Sequence, residues 1–371
     1  MRLSRISLHH FRNLGEQELE FPPEGVAIVG PNAHGKTNLL EAIYYLETFR
    51  SFRAAKDEQL TAFGQPVFRL AGRFAGEGGQ VEVTAAFQRV GPRKKVTIDG
   101  HEPDRLGDAL GRTAAVVFAP SDVKVVAGGP AERRRFLDIV LSLASPGYLR
   151  ALQQYRLVLA QRNAALRARS DRAAVAAWDD PLTSLGARVM RARRDWIAGS
   201  AETFRALYRE ISGGRSAHMS YQPSVADAVE AESGDLPEVF ARALERSRDR
   251  ERRLATTVVG PHRDEMGISL AAASGDLDLR TFGSGGQQRT GALSLRLTEA
   301  ATVREVRGKT PILLLDDVFS ELDEGRSRRI LDLIEGSLRH QVILTAPREA
   351  DVQVRRDSIP RWRVQNGVVS T

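Results

Sequence analysis

The chain has 371 residues, 42% hydrophobic and 27% charged, enough for two or three packed units and too apolar for extensive disorder. It contains no cysteine, which excludes disulfides, thiolate metal sites and cysteine nucleophiles and suits a reducing cytoplasm. Lys+Arg number 54 against 47 Asp+Glu, a net charge of +7 that draws polyanions but is also met in proteins that never touch nucleic acid.

Residues 2–8 and 16–21 alternate polar and apolar side chains as half-buried strands do, and Gly25-Val26-Ala27-Ile28-Val29 is an apolar run that ends at Gly30. From residue 38 to 49, Leu39, Leu40, Ile43, Tyr44 and Leu46 recur at helical spacing. Residues 67–74, 81–87 and 96–98 read as strands joined by Gly76-Glu77-Gly78-Gly79 and Val90-Gly91-Pro92-Arg93-Lys94, the makings of an antiparallel layer.

From 131 to 253 the chain turns to helical stretches rich in Ala, Leu and Arg, interrupted at 145–147, 179–181 and 212–223. They are too broken for sustained heptads, so the segment reads as an inserted helical lobe rather than a coiled coil. Strands at 266–270 and 277–279 read as the return of the first domain. A helix over 293–306 follows, then Ile312-Leu313-Leu314-Leu315-Asp316, a helix carrying Ile330, Leu331, Leu333, Ile334 and Leu338, the strand 341–345, and a hairpin at Asn366-Gly367. The expected division is 1–130, 131–253 and 254–371. No window holds about eighteen uninterrupted apolar residues and the start lacks an apolar leader, so the expectation is a cytoplasmic protein that neither leaves the cell nor spans a membrane.

Gly30-Pro31-Asn32-Ala33-His34-Gly35-Lys36-Thr37 fits G-x-x-x-x-G-K-[ST] between an apolar strand and a helix. In that setting backbone N–H groups cradle phosphates, Lys36 reaches the β- and γ-phosphates, and the Thr37 hydroxyl ligates Mg²⁺. Asn38, directly after, is counted among the ATP-binding residues. Asp316 ends a buried strand as the second magnesium-holding group of such a site. Asp317 beside it is the candidate general base toward water. Phe282-Gly283-Ser284-Gly285-Gly286-Gln287 is a glycine pair opening a helix, a second anion-binding edge.

Ser284-Gly285-Gly286-Gln287 resembles the signature of ABC-type ATPases, which binds nucleotide held by the opposite protomer, and Ser320-Glu321-Leu322-Asp323 looks like the accompanying D-loop, with Asp323 its carboxylate. The long helical insertion between Lys36 and Ser284 narrows the likeness. With Leu8-His9-His10-Phe11-Arg12-Asn13, Phe118-Ala119-Pro120-Ser121-Asp122, Glu132-Arg133-Arg134-Arg135-Phe136-Leu137-Asp138, Gln161-Arg162-Asn163 and Gly260-Pro261-His262-Arg263-Asp264, the chain resembles the RecF family of bacterial recombination mediators nearly end to end.

That resemblance implies an α/β fold: a P-loop ABC/SMC-type ATPase head with an antiparallel β subdomain and an inserted helical lobe. It implies an ATP-dependent homodimer in which residues 30–37, Asp316 and Asp317 of one chain meet residues 284–287 of the other, with ATP and Mg²⁺ between them. Closure would clamp double-stranded DNA or single-strand/duplex junctions and promote RecA loading with RecR and RecO. Arg12 lies beside the P-loop in such heads and is expected on a phosphate; a plain surface arginine is the other reading. His262 and Arg263 read equally as nucleotide contacts or loop braces.

The glutamine usual after the strand ending at Phe118 is absent, and Leu344-Thr345-Ala346 stands where transporters carry a histidine, so slow hydrolysis is expected. Two rival readings are a transporter ATPase subunit and a DNA clamp without turnover. Arg162, Arg167, Arg169, Arg172, Arg188, Arg191, Arg193 and Arg194 fit either a DNA groove or a solvated helix face.

Overall fold

The computed structural model describes the chain apart from residues 229–230, 233, 273–274, 337–340 and 353–358, and apart from the side chains of 320, 321, 335, 336 and 350. Leu338 of the expected helix and the side chains of Ser320 and Glu321 thus lie outside the described residues. The strands in chain order are β1 Arg2–His9, β2 Gln17–Glu20, β3 Gly25–Val29, β4 Val67–Gly76, β5 Gly79–Gln88, β6 Arg93–Ile98, β7 Ala115–Phe118, β8 Ala217–Gln222, β9 Glu265–Leu270, β10 Leu277–Asp278, β11 Ile312–Asp316, β12 Val342–Ala346, β13 Arg361–Gln365 and β14 Val368–Ser370.

Two compact units form. One comprises Met1–Asp122, Glu210–Gly214 and Ala292–Thr371; the other comprises Val123–Arg209 and Arg215–Gly291. In the first unit a six-stranded sheet runs β14-β13-β3-β12-β11-β7, parallel except for the terminal β13–β14 hairpin. Strands β3, β7, β11 and β12 are buried at every position, as continuous apolar runs demand when both faces of a parallel sheet are covered. A second, antiparallel sheet runs β2-β1-β4-β5-β6. The helix Lys36–Thr48 contributes Leu39, Leu40, Ile43, Tyr45 and Leu46 to a core shared with Leu3, Ile6, Leu8, Phe68, Leu70 and Phe74 of that sheet. Phe11 stands edge-on to Phe68, with centroids 5.3 Å apart.

The second unit is larger than the expected lobe 131–253 at both ends. Strands β9 and β10, read from sequence as the head resuming, pair instead with β8 in a three-stranded antiparallel sheet belonging to this unit. Strand β8 lies in a segment read as an interruption: only Ala217 and Met219 of its six residues are buried, too short an apolar alternation to stand out. The helix Gly285–Arg307 begins in this unit and ends in the other. Among the described residues no helix is long and apolar enough to cross a membrane.

Candidate functional site

Strand β3 delivers the chain to Gly30, whose N–H donates to the Ala346 carbonyl at 3.3 Å. A Cβ at Gly30 would sit 2.3 Å from the Val364 carbonyl oxygen, so no other residue fits there without a shift. Ala33 and Gly35 have φ of 68° and 113°; backbone that turns this way beside a helix N-terminus forms a concave row of N–H donors suited to phosphate oxygens. The Lys36 ammonium folds over the loop and donates to the carbonyls of Gly30 at 2.6 Å and Pro31 at 2.9 Å. Burial lowers its pKa, opposed by the charges of Asp317 and Asp316.

The end of β11 meets this loop directly. The Thr37 hydroxyl donates to Asp316 Oδ1 at 2.8 Å, and the Thr345 hydroxyl at the end of β12 donates to the same oxygen at 3.0 Å. Asp317, in the left-handed region with φ 49°, donates its N–H to Thr345 Oγ1 at 3.0 Å. Burial raises the Asp316 pKa, the two threonine hydroxyls lower it, and the Asp317 charge raises it again. A hydroxyl and a buried carboxylate already in contact, beside a second carboxylate and an ammonium, suit a hydrated divalent cation with a polyphosphate. Thr37, Asp316, Asp317 and Lys36 are therefore brought together, and Thr345, which stands where transporters carry a histidine, ties both aspartates.

Arg12 is placed beside this cluster but turned inward. Its guanidinium forks onto buried Glu41 at 2.8 and 3.0 Å and donates a third bond to the Gln59 carbonyl at 3.1 Å. Arg12 is thus no free surface arginine: it braces Glu41, to which Ser51 adds a hydroxyl. Arg53, which the sequence reading omitted, donates to Asn38 at 3.1 Å and lowers the pKa of Asp316 through its charge. Asn38 in turn donates to Asn13 at 2.7 Å, and Asn13 to the Ala33 carbonyl at 3.1 Å. His34 accepts the Asn366 N–H on Nδ1 at 3.0 Å, and its carbonyl accepts the Gly367 N–H at 3.0 Å, so the C-terminal hairpin turn fastens the loop. The left-handed φ of Asn366 and Gly367, 49° and 80°, is what an Asn-Gly turn supplies.

The glycine-rich segment 283–287 lies in the second unit. Ser284 and Gln287 cap the helix reciprocally: the Ser284 N–H donates to Gln287 Oε1 at 2.7 Å and the Gln287 N–H to Ser284 Oγ at 3.3 Å. Gly285 and Gly286 thus occupy the first helical positions, where N–H groups have no intrahelical acceptor. Phe282 just before them is 65% exposed. Asp323 caps the helix Glu324–Gly336, taking the Arg326 N–H at 2.9 Å, and this bond lowers its pKa.

Several remaining candidates are structural. His262 Nδ1 meets the Tyr155 hydroxyl at 2.6 Å and Nε2 meets the Thr257 carbonyl at 3.1 Å; burial pushes its pKa down to about 4. Asp122, at the point where a glutamine was sought, caps the Ala119 N–H at 2.8 Å and pairs with Arg296 at 2.6 Å. Arg162 and Arg193 are buried: Arg162 on Asp179 and Glu251 at 2.9 and 2.8 Å, Arg193 on Asp138 at 2.8 Å. Arg194 donates to the Ala231 carbonyl at 2.7 Å. Arg167, Arg169, Arg172 and Arg188 are exposed.

The family model described as "RecF/RecN/SMC N terminal domain" matches residues 2–370. The protein described as DNA replication and repair protein RecF from Halalkalibacterium halodurans is 38% identical over 351 residues, 93% of each chain. Its counterpart from Anaeromyxobacter sp. is 36% identical over 373 residues, covering 100% of this chain and 99% of its own. A solved structure described as the recombination mediator protein RecF with ATP in the RecFOR pathway superposes with a TM-score of 0.90 at 31% identity, covering 100% of this chain and 97% of that one.

Proposed function

The chain belongs to the RecF family, and on that premise we propose that it is a Mg-ATP-dependent, DNA-binding ATPase of recombinational and replication-gap repair. The observation that carries this is the contact of Thr37 and Thr345 with Asp316 Oδ1 beside Lys36 and Asp317. In this reading residues 30–38 would hold the phosphates and Thr37 with Asp316 would hold Mg²⁺, whose chemistry there would be to neutralise phosphate charge. Asp317 accepts a proton from the attacking water, and Thr345 fixes the spacing of the two carboxylates.

The reading continues to a homodimer. The Gly285 and Gly286 N–H groups open a helix with no intrahelical acceptor, the Ser284 and Gln287 N–H groups being capped reciprocally, and the γ-phosphate on a second copy would meet them. Asp323 at its helix cap would flank that interface. ATP then favours the closed state because it bridges two chains, and hydrolysis removes the bridge. DNA, duplex or at a single-strand junction, would be held by the closed pair in the cytoplasm. Action with RecR and RecO in loading RecA rests on the resemblance to the mediator of the RecFOR pathway.

Equilibrium ATP binding and phosphate release, with and without duplex DNA, test the proposal. Wild type should bind ATP and release phosphate slowly, faster with DNA; Lys36→Met should do neither. ATP binding retained by Lys36→Met would reject the assignment of the loop, and binding without any release would leave a DNA clamp in which nucleotide is not turned over.

A further inference from the structure

The second unit contains a cavity of about 540 Å³ that the site above does not use. It lies where the end of the helix Pro146–Arg167, the short helix Arg172–Ala176 and the C-terminal half of the helix Leu236–Leu254 meet. Its volume is within the range of sites for small ligands or a ligand's head group. Buried Arg162 lines it, fixed by Asp179, Glu251 and the Thr257 hydroxyl, so the wall is rigid and polar.

Seven arginines and five carboxylates line the cavity. Arg172 and Arg248 pair with Glu245 at 2.9 and 2.5 Å, Arg248 also with Asp179 at 3.2 Å, and Arg246 with Asp227 at 2.9 Å. Arg169, Arg252 and Arg253 are exposed and have no carboxylate partner among the described residues. Arg169 also sits with φ 53° just past the end of its helix, with its N–H on the Leu166 carbonyl at 3.1 Å. That position favours glycine, so a long cation is held there against a backbone preference. Cations near two helix C-termini also answer the helix dipoles, a role that affects stability and not ligand binding.

We propose that this cavity is a phosphate-binding site that grips the backbone of a nucleic-acid strand through Arg169, Arg252 and Arg253. Guanidinium forks match pairs of phosphate oxygens. A phosphodiester and a free polyphosphate share that chemistry. The strand assignment rests on the reading that the chain binds DNA.

The test measures binding of a labelled duplex and a labelled single strand over a range of salt, with the P-loop saturated by a non-hydrolysable ATP analogue, and competition by pyrophosphate. Arg252→Glu/Arg253→Glu should weaken strand binding at least about ten-fold and flatten the salt slope by about 1–2. Arg205→Glu/Arg242→Glu, of equal charge change on exposed residues outside the cavity, should change affinity less than about three-fold. Pyrophosphate should compete with the strand on wild type. Equal losses in both variants would assign the effect to overall charge and overturn the site, as would unchanged affinity in Arg252→Glu/Arg253→Glu. If wild type binds neither strand, the DNA reading fails. Calorimetric pyrophosphate binding lost in that variant would then assign the cavity to a free polyphosphate, and none in wild type would overturn it. Arg252→Gln/Arg253→Gln serves if the charge reversal unfolds.

Discussion

The Thr345 hydroxyl lies 3.0 Å from Asp316 Oδ1, the same oxygen that the Thr37 hydroxyl reaches at 2.8 Å from the P-loop side. Two hydroxyls hold one carboxylate oxygen, and the Asp317 N–H bonds to Thr345 in turn. Removing the Thr345 hydroxyl therefore frees the Asp316–Asp317 spacing without touching the loop. Thr345→Val should slow ATP turnover roughly ten-fold while ATP affinity stays within about three-fold, and Thr345→Ser should restore turnover. Turnover unaffected by valine would make the hydroxyl a packing feature.

Asp317 is half-buried at the turn after β11, next to Asp316. As a general base it should be worth about 10²-fold or more in rate. Asp317→Asn should then show that loss in single-turnover phosphate release while retaining ATP. A rate within about two-fold of wild type would assign the base elsewhere.

His262 is held neutral by burial, with its folded pKa near 4 against an ordinary 6.5. Because the folded value is the lower, this stability is complete above pH 6.5 and lost as pH falls from 6.5 toward 4; it amounts to about 3 kcal/mol. Urea unfolding followed by Trp178 and Trp196 fluorescence should therefore lose stability between pH 7 and pH 5, and His262→Gln should lose less over the same interval. Parallel pH profiles would show that the imidazole does not set this dependence.

Arg162 is 1% exposed between Asp179 and Glu251. Arg162→Met leaves buried Glu251 without its cation, while Asp179 keeps Arg248 at 3.2 Å, at a cost of about 3–5 kcal/mol. Arg205→Met on the exposed helix face should change stability by no more than about 0.5 kcal/mol. Comparable denaturation midpoints for the two variants would contradict the buried network.

The glycine-rich turn before Lys36, the aspartates ending β11 and the helix opening at Gly285 were legible because each is a local pattern whose geometry depends on neighbours in sequence. Arg12 and Arg162 were not, since a guanidinium reads alike on a surface and in a core. Their partners, Glu41 and Glu251, lie far along the chain. The link from His34 to Asn366 spans 332 positions and leaves no spacing signal. Strands β9 and β10 were legible as strands but read as the first domain resuming, whereas they belong to the second unit. Strand pattern fixes a buried face, and the partner strand β8 showed too little of one.

In the proposed composite site the P-loop of one chain is completed by residues 284–287 of another. Solution mass by light scattering tests it most directly, measured with Mg-ATP, with Mg-ADP and with neither, for wild type and Ser284→Arg. Wild type should double its mass only with ATP, and Ser284→Arg should bind ATP and remain at the mass of one chain. A wild type that stays monomeric at saturating ATP, or a Ser284→Arg that dimerises normally, would contradict the composite site.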